Sequence, residues 1–126
     1  MNKTPDHIYI VDDDEKFCKS LKRLLRSAGY FSESFSSAQC FLDSVSADDK
    51  TGVLILDLRM PGMDGFALQE KLNELRSSLR IIIITADAHP GDRDHAIKAG
   101  AIGFLQKPFQ DESLFELIRL AEQEGD

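Results

Sequence analysis

Two runs of apolar residues limit the fold more than any other feature of the sequence. VLILD (53–57) and IIIIT (81–85) are apolar without alternation until their last residue. A strand exposed on one face alternates apolar and polar residues, whereas a parallel strand covered on both faces is a continuous apolar run. HIYIV (7–11), YFSESF (30–35) and AIGFLQ (101–106) are further strand candidates. We therefore predict five strands, with YFSESF near an edge of the sheet.

The segments after these runs carry apolar residues at helical spacing. Strand and helix thus alternate five times with short connections, which predicts an open parallel sheet with helices on both faces. We expect one α/β domain over residues 1–126, with a polar loop at ADDKTG (47–52). The first helix should stop at Gly29, another helix should run from Phe66 to Ser77, and a further helix should end at Gly100. The residues expected to face inward, helix by helix, are Phe17, Leu21, Leu24, Leu25 and Ala28; Ala38, Phe41, Leu42 and Val45; Phe66, Leu72 and Leu75; and Leu114, Leu117, Ile118 and Ala121.

The composition argues against several classes of protein. A net charge of −7 disfavours a nucleic-acid-binding surface, which normally needs a basic stripe. The sequence has no run of about 18 apolar residues and its start lacks the apolar core of a signal peptide, so we expect a cytoplasmic protein without a membrane span. Cys18 and Cys40 match no metal or redox spacing and are expected to be reduced thiols. We expect His7, His89 and His95 at the surface or at an edge.

Polar residues stand at the carboxyl ends of four predicted strands. DDDE (12–15) follows the first strand, Asp57 ends the third, Thr85 ends the fourth, and Lys107 follows the fifth. In open parallel sheets, ligands bind at the carboxyl ends of the strands. The sequence therefore predicts one site that gathers acidic, hydroxyl and cationic side chains.

Each of these residues also has a purely structural interpretation. Asp13 or Asp14 could cap the following helix, and Asp57 could stabilise a turn. Thr85 could be an ordinary β-branched strand residue, and Lys107 a solvated turn residue. These alternatives remain open for each residue alone. Together they are weaker, because independent structural roles would not all fall at the same edge of the sheet.

Electrostatics suggest what such a site would hold. Asp12, Asp13 and Asp57 would place three negative charges close together, which raises the pKa of at least one carboxyl group. A divalent cation relieves the repulsion, and oxygen ligands favour Mg²⁺. Three carboxylates, one Mg²⁺ and Lys107 together carry no net charge. Asp57 could then approach an anionic phosphoryl group as a nucleophile and form an acyl phosphate.

Four motifs in the sequence resemble those of a known family. They are IVDD (10–13), LILDLRMPGMDG (54–65), IIIITA (81–86) and GAIGFLQKPF (100–109). In this order and spacing they resemble the receiver domain of two-component response regulators along nearly the whole chain. The resemblance implies a flavodoxin-like sheet with strand order 2-1-3-4-5. It also implies a phosphorylation switch rather than a metabolic enzyme, with no activity beyond self-phosphorylation and autodephosphorylation.

The resemblance assigns roles to the residues of the acidic edge. Asp57 would be the phospho-acceptor. Asp13 would bind Mg²⁺ directly and Asp12 mainly through water, while the backbone carbonyl of Arg59 would supply another ligand. Arg59 and Asp87 stand at positions that vary in the family and influence the lifetime of the phosphorylated form.

Further roles concern the response to the phosphoryl group. Lys107 would pair with the acceptor carboxylate and then with the phosphoryl group, and its bond to Pro108 is expected to be cis. Thr85 would move to bond a phosphoryl oxygen, and Phe104 matches the aromatic residue that turns inward behind it. The expected output surface, also a possible dimer face, includes Arg93, His95, Lys98, Gln106 and Arg119.

Partners also follow from the resemblance. The donor would be the phosphohistidine of a sensor histidine kinase, and small acyl phosphates can sometimes substitute. The chain is either a stand-alone receiver or the amino-terminal part of a DNA-binding regulator. No nucleic acid is expected to bind through this domain, and homodimerisation on phosphorylation is possible.

Two alternative functions belong to other classes. A haloacid-dehalogenase-like aspartyl-phosphate phosphatase would need a second acid two residues after the nucleophile, where this chain has Arg59. A flavin-binding module would need a phosphate-binding loop after the first strand, where the acidic DDDE (12–15) would repel a flavin phosphate.

Overall fold

The computed structural model describes residues 7–44 and 51–124. Expectations for Val45 and for residues 47–50 lie outside the described residues. Strands and helices alternate along the chain as predicted. The strands are β1 (Ile8–Val11), β2 (Ser32–Phe35), β3 (Val53–Asp57), β4 (Arg80–Thr85) and β5 (Gly103–Gln106), and the helices are α1 (Glu15–Ser27), α2 (Ala38–Ser44), α3 (Gly65–Glu74), α4 (Asp92–Lys98) and α5 (Asp111–Glu124).

The five strands form one parallel sheet in the order β2-β1-β3-β4-β5. This confirms the predicted fold class and places β2 at an edge. Alternate residues of the central strands point to opposite faces. Leu54, Leu56, Ile81 and Ile83 pack with α2, α3 and α4, whereas their neighbours in sequence pack with α1 and α5. Burial on both faces explains why the central strands are apolar throughout.

Helix α1 begins and ends where local chemistry predicts. The side chain of Asp14 caps its first turn by accepting a hydrogen bond from the Phe17 amide. Gly29 follows the last turn with φ of 90°, a conformation that favours glycine. The inward position predicted for Ala28 is wrong: this residue follows the last helical residue and is exposed.

Helix α3 is shorter than predicted. It ends at Glu74 instead of Ser77, because the chain turns at Arg76, whose φ is 56°. The turn directs Leu75 outward, so the inward position predicted for Leu75 is wrong and 42% of this residue is exposed. The prediction for Leu72 is confirmed, since it is fully buried in the core.

The carboxyl-terminal third follows the predicted pattern. Leu114, Ile118 and Ala121 of α5 are buried, and Leu117 packs partly against them. Strand β5 begins at Gly103, later than predicted, because the amide of Ala101 is still bonded to the end of α4.

Across the described ranges 7–44 and 51–124, none of the helices combines the length and apolarity that a bilayer crossing requires.

Candidate functional site

Asp12, Asp13 and Asp57 meet at the carboxyl edge of the sheet. Strands β1 and β3 are neighbours with Val11 opposite Leu56, so the residues that follow each of them lie side by side. One carboxylate oxygen from each of the three acids lies within 4.8 Å of the others. Asp12 and Asp57 are almost completely buried, at 1% and 6% exposure, whereas Asp13 is exposed. The structure thus brings together the three acids that the sequence predicted would meet.

Asp14, the remaining acid of the first loop, has a structural role. Its side chain caps α1, and its own amide donates a hydrogen bond of 2.9 Å to Asp12 Oδ1. This confirms the capping interpretation for Asp14. The same bond helps to fix the carboxylate of Asp12 within the acidic cluster.

Burial and neighbouring charge perturb Asp57. Burial, and after it the negative charge of the Asp12 carboxylate, raise the pKa of Asp57 from 3.8 to about 6. The Lys107 ammonium and a hydrogen bond from the Arg59 amide oppose this rise. The edge of the sheet therefore has more negative charge than its own cations neutralise. This charge and a donor set of hard oxygen atoms both fit a divalent cation such as Mg²⁺.

Lys107 extends from the end of β5 into the acidic cluster. Its Nζ donates to Asp12 Oδ2 at 2.7 Å, and both side chains of this ion pair are largely buried. Nζ also lies 3.9 Å from the centroid of the Phe17 ring. The Lys107 amide bonds to the carbonyl of Thr85 at 2.7 Å, and the predicted cis bond to Pro108 is confirmed. In this state the lysine is thus paired with Asp12, whereas the resemblance predicted pairing with the acceptor.

Thr85 and Phe104 share one face of the sheet. Phe104 is opposite Ile83, two residues before Thr85, and side chains two residues apart point to the same face. Thr85 is buried, and its Oγ1 accepts the Asp87 amide hydrogen at 3.1 Å. Phe104 is half-buried and packs against the core on the side of α3 and α4. The predicted hydroxyl and aromatic pair therefore lies between the acidic edge and α4.

The residues of the expected output surface are all exposed. They lie on α4, β5 and α5, and three of them make different local contacts. His95 stacks on the Phe66 ring of α3 at 3.8 Å, so it lies on the α3 side of α4. Arg93 instead donates to the carbonyl of Phe104 on β5, and Arg119 pairs with Glu112 within α5.

Sequence reasoning missed two residues beside the site. Asp92, in the first turn of α4, accepts a 2.5 Å hydrogen bond from Arg59 Nη2 and a 2.8 Å bond from the His89 amide. Phe17 was predicted only as an inward helical residue, but it is half-buried and its ring faces Lys107. No local spacing in the sequence indicates either contact. Both join segments that are far apart in the chain.

Comparisons with known proteins agree with this geometry. The family model described as "Response regulator receiver domain" matches residues 8–119, and the chain belongs to that family. It is 46% identical to response regulator protein TmoT of Ectopseudomonas mendocina over 96% of this chain and 54% of that protein. It is 39% identical to transcriptional regulatory protein FixJ of Bradyrhizobium diazoefficiens over 94% of this chain and 57% of that protein.

Solved structures give the same assignment. The response regulator StyR superposes with a TM-score of 0.88 at 40% identity, over 98% of this chain and 61% of that chain. The crystal structure of FixJ-N gives a TM-score of 0.86 at 37% identity, over 98% of this chain and 96% of that chain. The chain spans about half the length of the curated relatives it matches. It is thus a receiver domain of the two-component class, and these matches do not favour the phosphatase alternative.

Proposed function

We propose that this domain is a signalling switch in which Asp57 accepts a phosphoryl group from the phosphohistidine of a sensor histidine kinase. The observation that carries the proposal is the cluster of Asp12, Asp13 and Asp57 at the carboxyl edge of the sheet, with Lys107 reaching into it. Asp57 ends a fully buried central strand, and its carboxylate accepts the Arg59 amide hydrogen. A nucleophile held in this way loses little freedom when it reacts.

The acidic cluster would also hold the cofactor. Asp12, Asp13, Asp57 and the backbone carbonyl of Arg59 would bind Mg²⁺, with Asp12 acting mainly through water. When bound, the cation supplies positive charge that lets an anionic phosphoryl donor approach the carboxylates. Lys107 supplies a further positive charge from the chain itself.

The proposed phosphoryl transfer to Asp57 forms one bond to phosphorus and breaks another. An oxygen of Asp57 forms a bond to phosphorus while the bond between phosphorus and the imidazole nitrogen breaks, and that nitrogen keeps the electron pair. Lys107 exchanges Asp12 for an oxygen of the phosphoryl group. In the later dephosphorylation, water attacks the phosphorus of the acyl phosphate and releases the Asp57 carboxylate and inorganic phosphate. We propose no enzymatic activity beyond this self-phosphorylation and autodephosphorylation.

The new charge would be relayed through Thr85 and Phe104. The Thr85 hydroxyl, which now accepts the Asp87 amide hydrogen, would donate its own hydrogen to a phosphoryl oxygen. Phe104 would then move inward on the same face of the sheet. The result is a shift between two conformations of the α4–β5–α5 surface, which we propose as the surface for partners or for a homodimer.

The domain would act within a larger signalling pathway. We propose that residues 1–126 form a cytoplasmic receiver, either stand-alone or the amino-terminal part of a longer regulator. Its relatives are about twice as long, and one is called a transcriptional regulatory protein. Any contact with DNA would then come from a further domain.

Intact-mass measurement tests the proposal directly. We expect one added phosphoryl group after incubation with Mg²⁺ and phosphoramidate, a donor with the phosphorus–nitrogen bond of phosphohistidine. Chelation and Asp57→Asn should abolish the addition. Asp43→Asn, which changes an exposed acid on α2, is the matched control and should be modified like the parent protein.

Three outcomes would contradict the proposal. They are an unchanged mass for the parent protein, full modification of Asp57→Asn, or modification that persists after chelation. Sedimentation with and without the phosphoryl group tests the proposed homodimer separately, and an unchanged molecular mass would remove dimerisation from this account.

A further inference from the structure

The ammonium of Lys107 contacts two groups of different character. One is the carboxylate of Asp12, at 2.7 Å from Nζ, and the other is the face of the Phe17 ring, at 3.9 Å from Nζ to the centroid. The lysine side chain is only 16% exposed, and that of Asp12 is fully buried. Attraction between a cation and a ring face is strongest where water is largely excluded, as it is here.

The fold holds the Phe17 ring firmly in this position. Phe17 belongs to the first turn of α1, where its amide is bonded to the cap residue Asp14. The ring also meets the Phe109 ring edge-on, with centroids 6.3 Å apart and planes at 82°. The segment 107–109 therefore contacts Phe17 twice, once through an ammonium and once through an aromatic ring. This pair of contacts joins α1 to the end of β5.

A ring and a carboxylate restrain an ammonium in different ways. The carboxylate holds it in one direction through a short hydrogen bond. The ring attracts it over a range of about 6 Å from the centroid without a fixed direction. At 3.9 Å, Nζ can move by about 2 Å and stay within that range. The ring can thus keep the charge at the site while the lysine changes its hydrogen-bond partner.

We propose that Phe17 is a positioning residue for Lys107. It keeps the ammonium at the acidic edge while Lys107 exchanges Asp12 for the phosphoryl group. This role rests on the function proposed above, because it matters only if Lys107 changes partner. Phe17 itself does not touch the reacting atoms. Its effect on phosphorylation passes entirely through the lysine.

A spectroscopic test examines the contact without any phosphorylation. Protons above an aromatic face resonate upfield, so the ε-methylene protons of Lys107 should be shifted upfield in ¹³C-lysine-labelled protein. Phe17→Leu should remove this shift, and Phe17→Tyr, which keeps the ring face, should retain it. Phe31→Leu is the matched control, because Phe31 is 77% exposed near the edge strand. Thermal unfolding would check that each variant is folded.

A kinetic test examines the role. With Mg²⁺ and acetyl phosphate, Phe17→Leu should lower the maximal phosphorylation rate about fivefold, the size expected of a partly desolvated contact of this kind. The concentration of donor at half-maximal rate should stay unchanged, and Phe17→Tyr should restore the rate. In a Lys107→Ala background, Phe17→Leu should have no further effect.

The outcomes separate the two proposals. If the parent protein accepts no phosphoryl group, the proposed function fails and the positioning role fails with it. If the parent protein is modified but Phe17→Leu is modified equally fast, only the positioning role fails. The role is also overturned if Phe17→Leu slows the reaction as much without Lys107, or if the upfield shift is missing from the parent protein.

Discussion

Replacement of Asp57 by Asn should stabilise the metal-free protein at neutral pH. The carboxylate is 6% exposed and lies beside Asp12, and burial followed by that neighbouring charge raises its pKa from 3.8 to about 6. A charged Asp57 therefore opposes folding whenever no cation offsets it. Asparagine keeps nearly the same shape without the charge.

The size of the effect follows from proton linkage. Below about pH 4 the group is protonated in both the folded and the unfolded protein and contributes nothing. Between about pH 4 and pH 6 the unfolded chain loses the proton while the folded protein keeps it, so stability falls as the pH rises. A rise of roughly two pKa units corresponds to about 3 kcal/mol above pH 6. This is a large part of the ~5–15 kcal/mol that stabilises a typical domain.

Urea unfolding in the presence of a chelator measures this difference. We expect Asp57→Asn to be more stable than the parent protein by up to about 3 kcal/mol at pH 8, and the gap to narrow towards pH 5. Glu70→Gln, at an exposed position on α3, is the control for loss of a carboxylate and should change little. Equal stability of Asp57→Asn and the parent protein at pH 8, or a gap independent of pH, would refute the reasoning.

Three further predictions concern the cation, the thiols and the first residue of α3. Mg²⁺ should raise the melting temperature of the parent protein in thermal scans, and raise that of Asp13→Asn much less, because the variant replaces a charged carboxylate ligand by a neutral amide. Exposed Cys40 should react quickly with a maleimide and Cys18 only in urea, as counted by intact mass, since burial raises the pKa of the Cys18 thiol to about 11. Gly65→Ala should destabilise the protein by about 1–3 kcal/mol in urea unfolding, because the added Cβ would lie 2.7 Å from the carbonyl oxygen of Asp57.

Long periodic patterns made most of the fold predictable. The uninterrupted runs at 53–57 and 81–85 are central strands, because each side of the sheet buries alternate residues of both. The helix boundaries were less predictable. Leu75 fits the helical spacing, but a left-handed turn at Arg76 ends α3 before it and leaves it exposed. Periodicity extends through such a turn without change, so the sequence pattern does not reveal it.

The acidic cluster could be predicted because a parallel sheet places all its strand ends together. Asp12 and Asp57 are adjacent once β1 pairs with β3 in the observed register. The partner of Lys107 could not be predicted in the same way. Three carboxylates lie within reach of the edge, and the choice of Asp12 depends on ångström-scale geometry that includes the position of the Phe17 ring.

The contact between Arg59 and Asp92 shows how ion pairs between distant segments influence the pKa of the acceptor Asp57. The guanidinium stands two residues after Asp57 in sequence, yet its charge is paired with an acid in the first turn of α4. As a result, Arg59 lowers the pKa of Asp57 through its backbone N–H, whereas Lys107 lowers it through its charge. The two cations near the acceptor therefore have different roles. Arg59 links the loop after Asp57 to α4 through its ion pair with Asp92, and Lys107 partly neutralises the charge of the acidic cluster. Since the second cation also contacts Asp12, it neutralises the cluster only in part, and the pKa of Asp57 stays raised until another positive charge arrives.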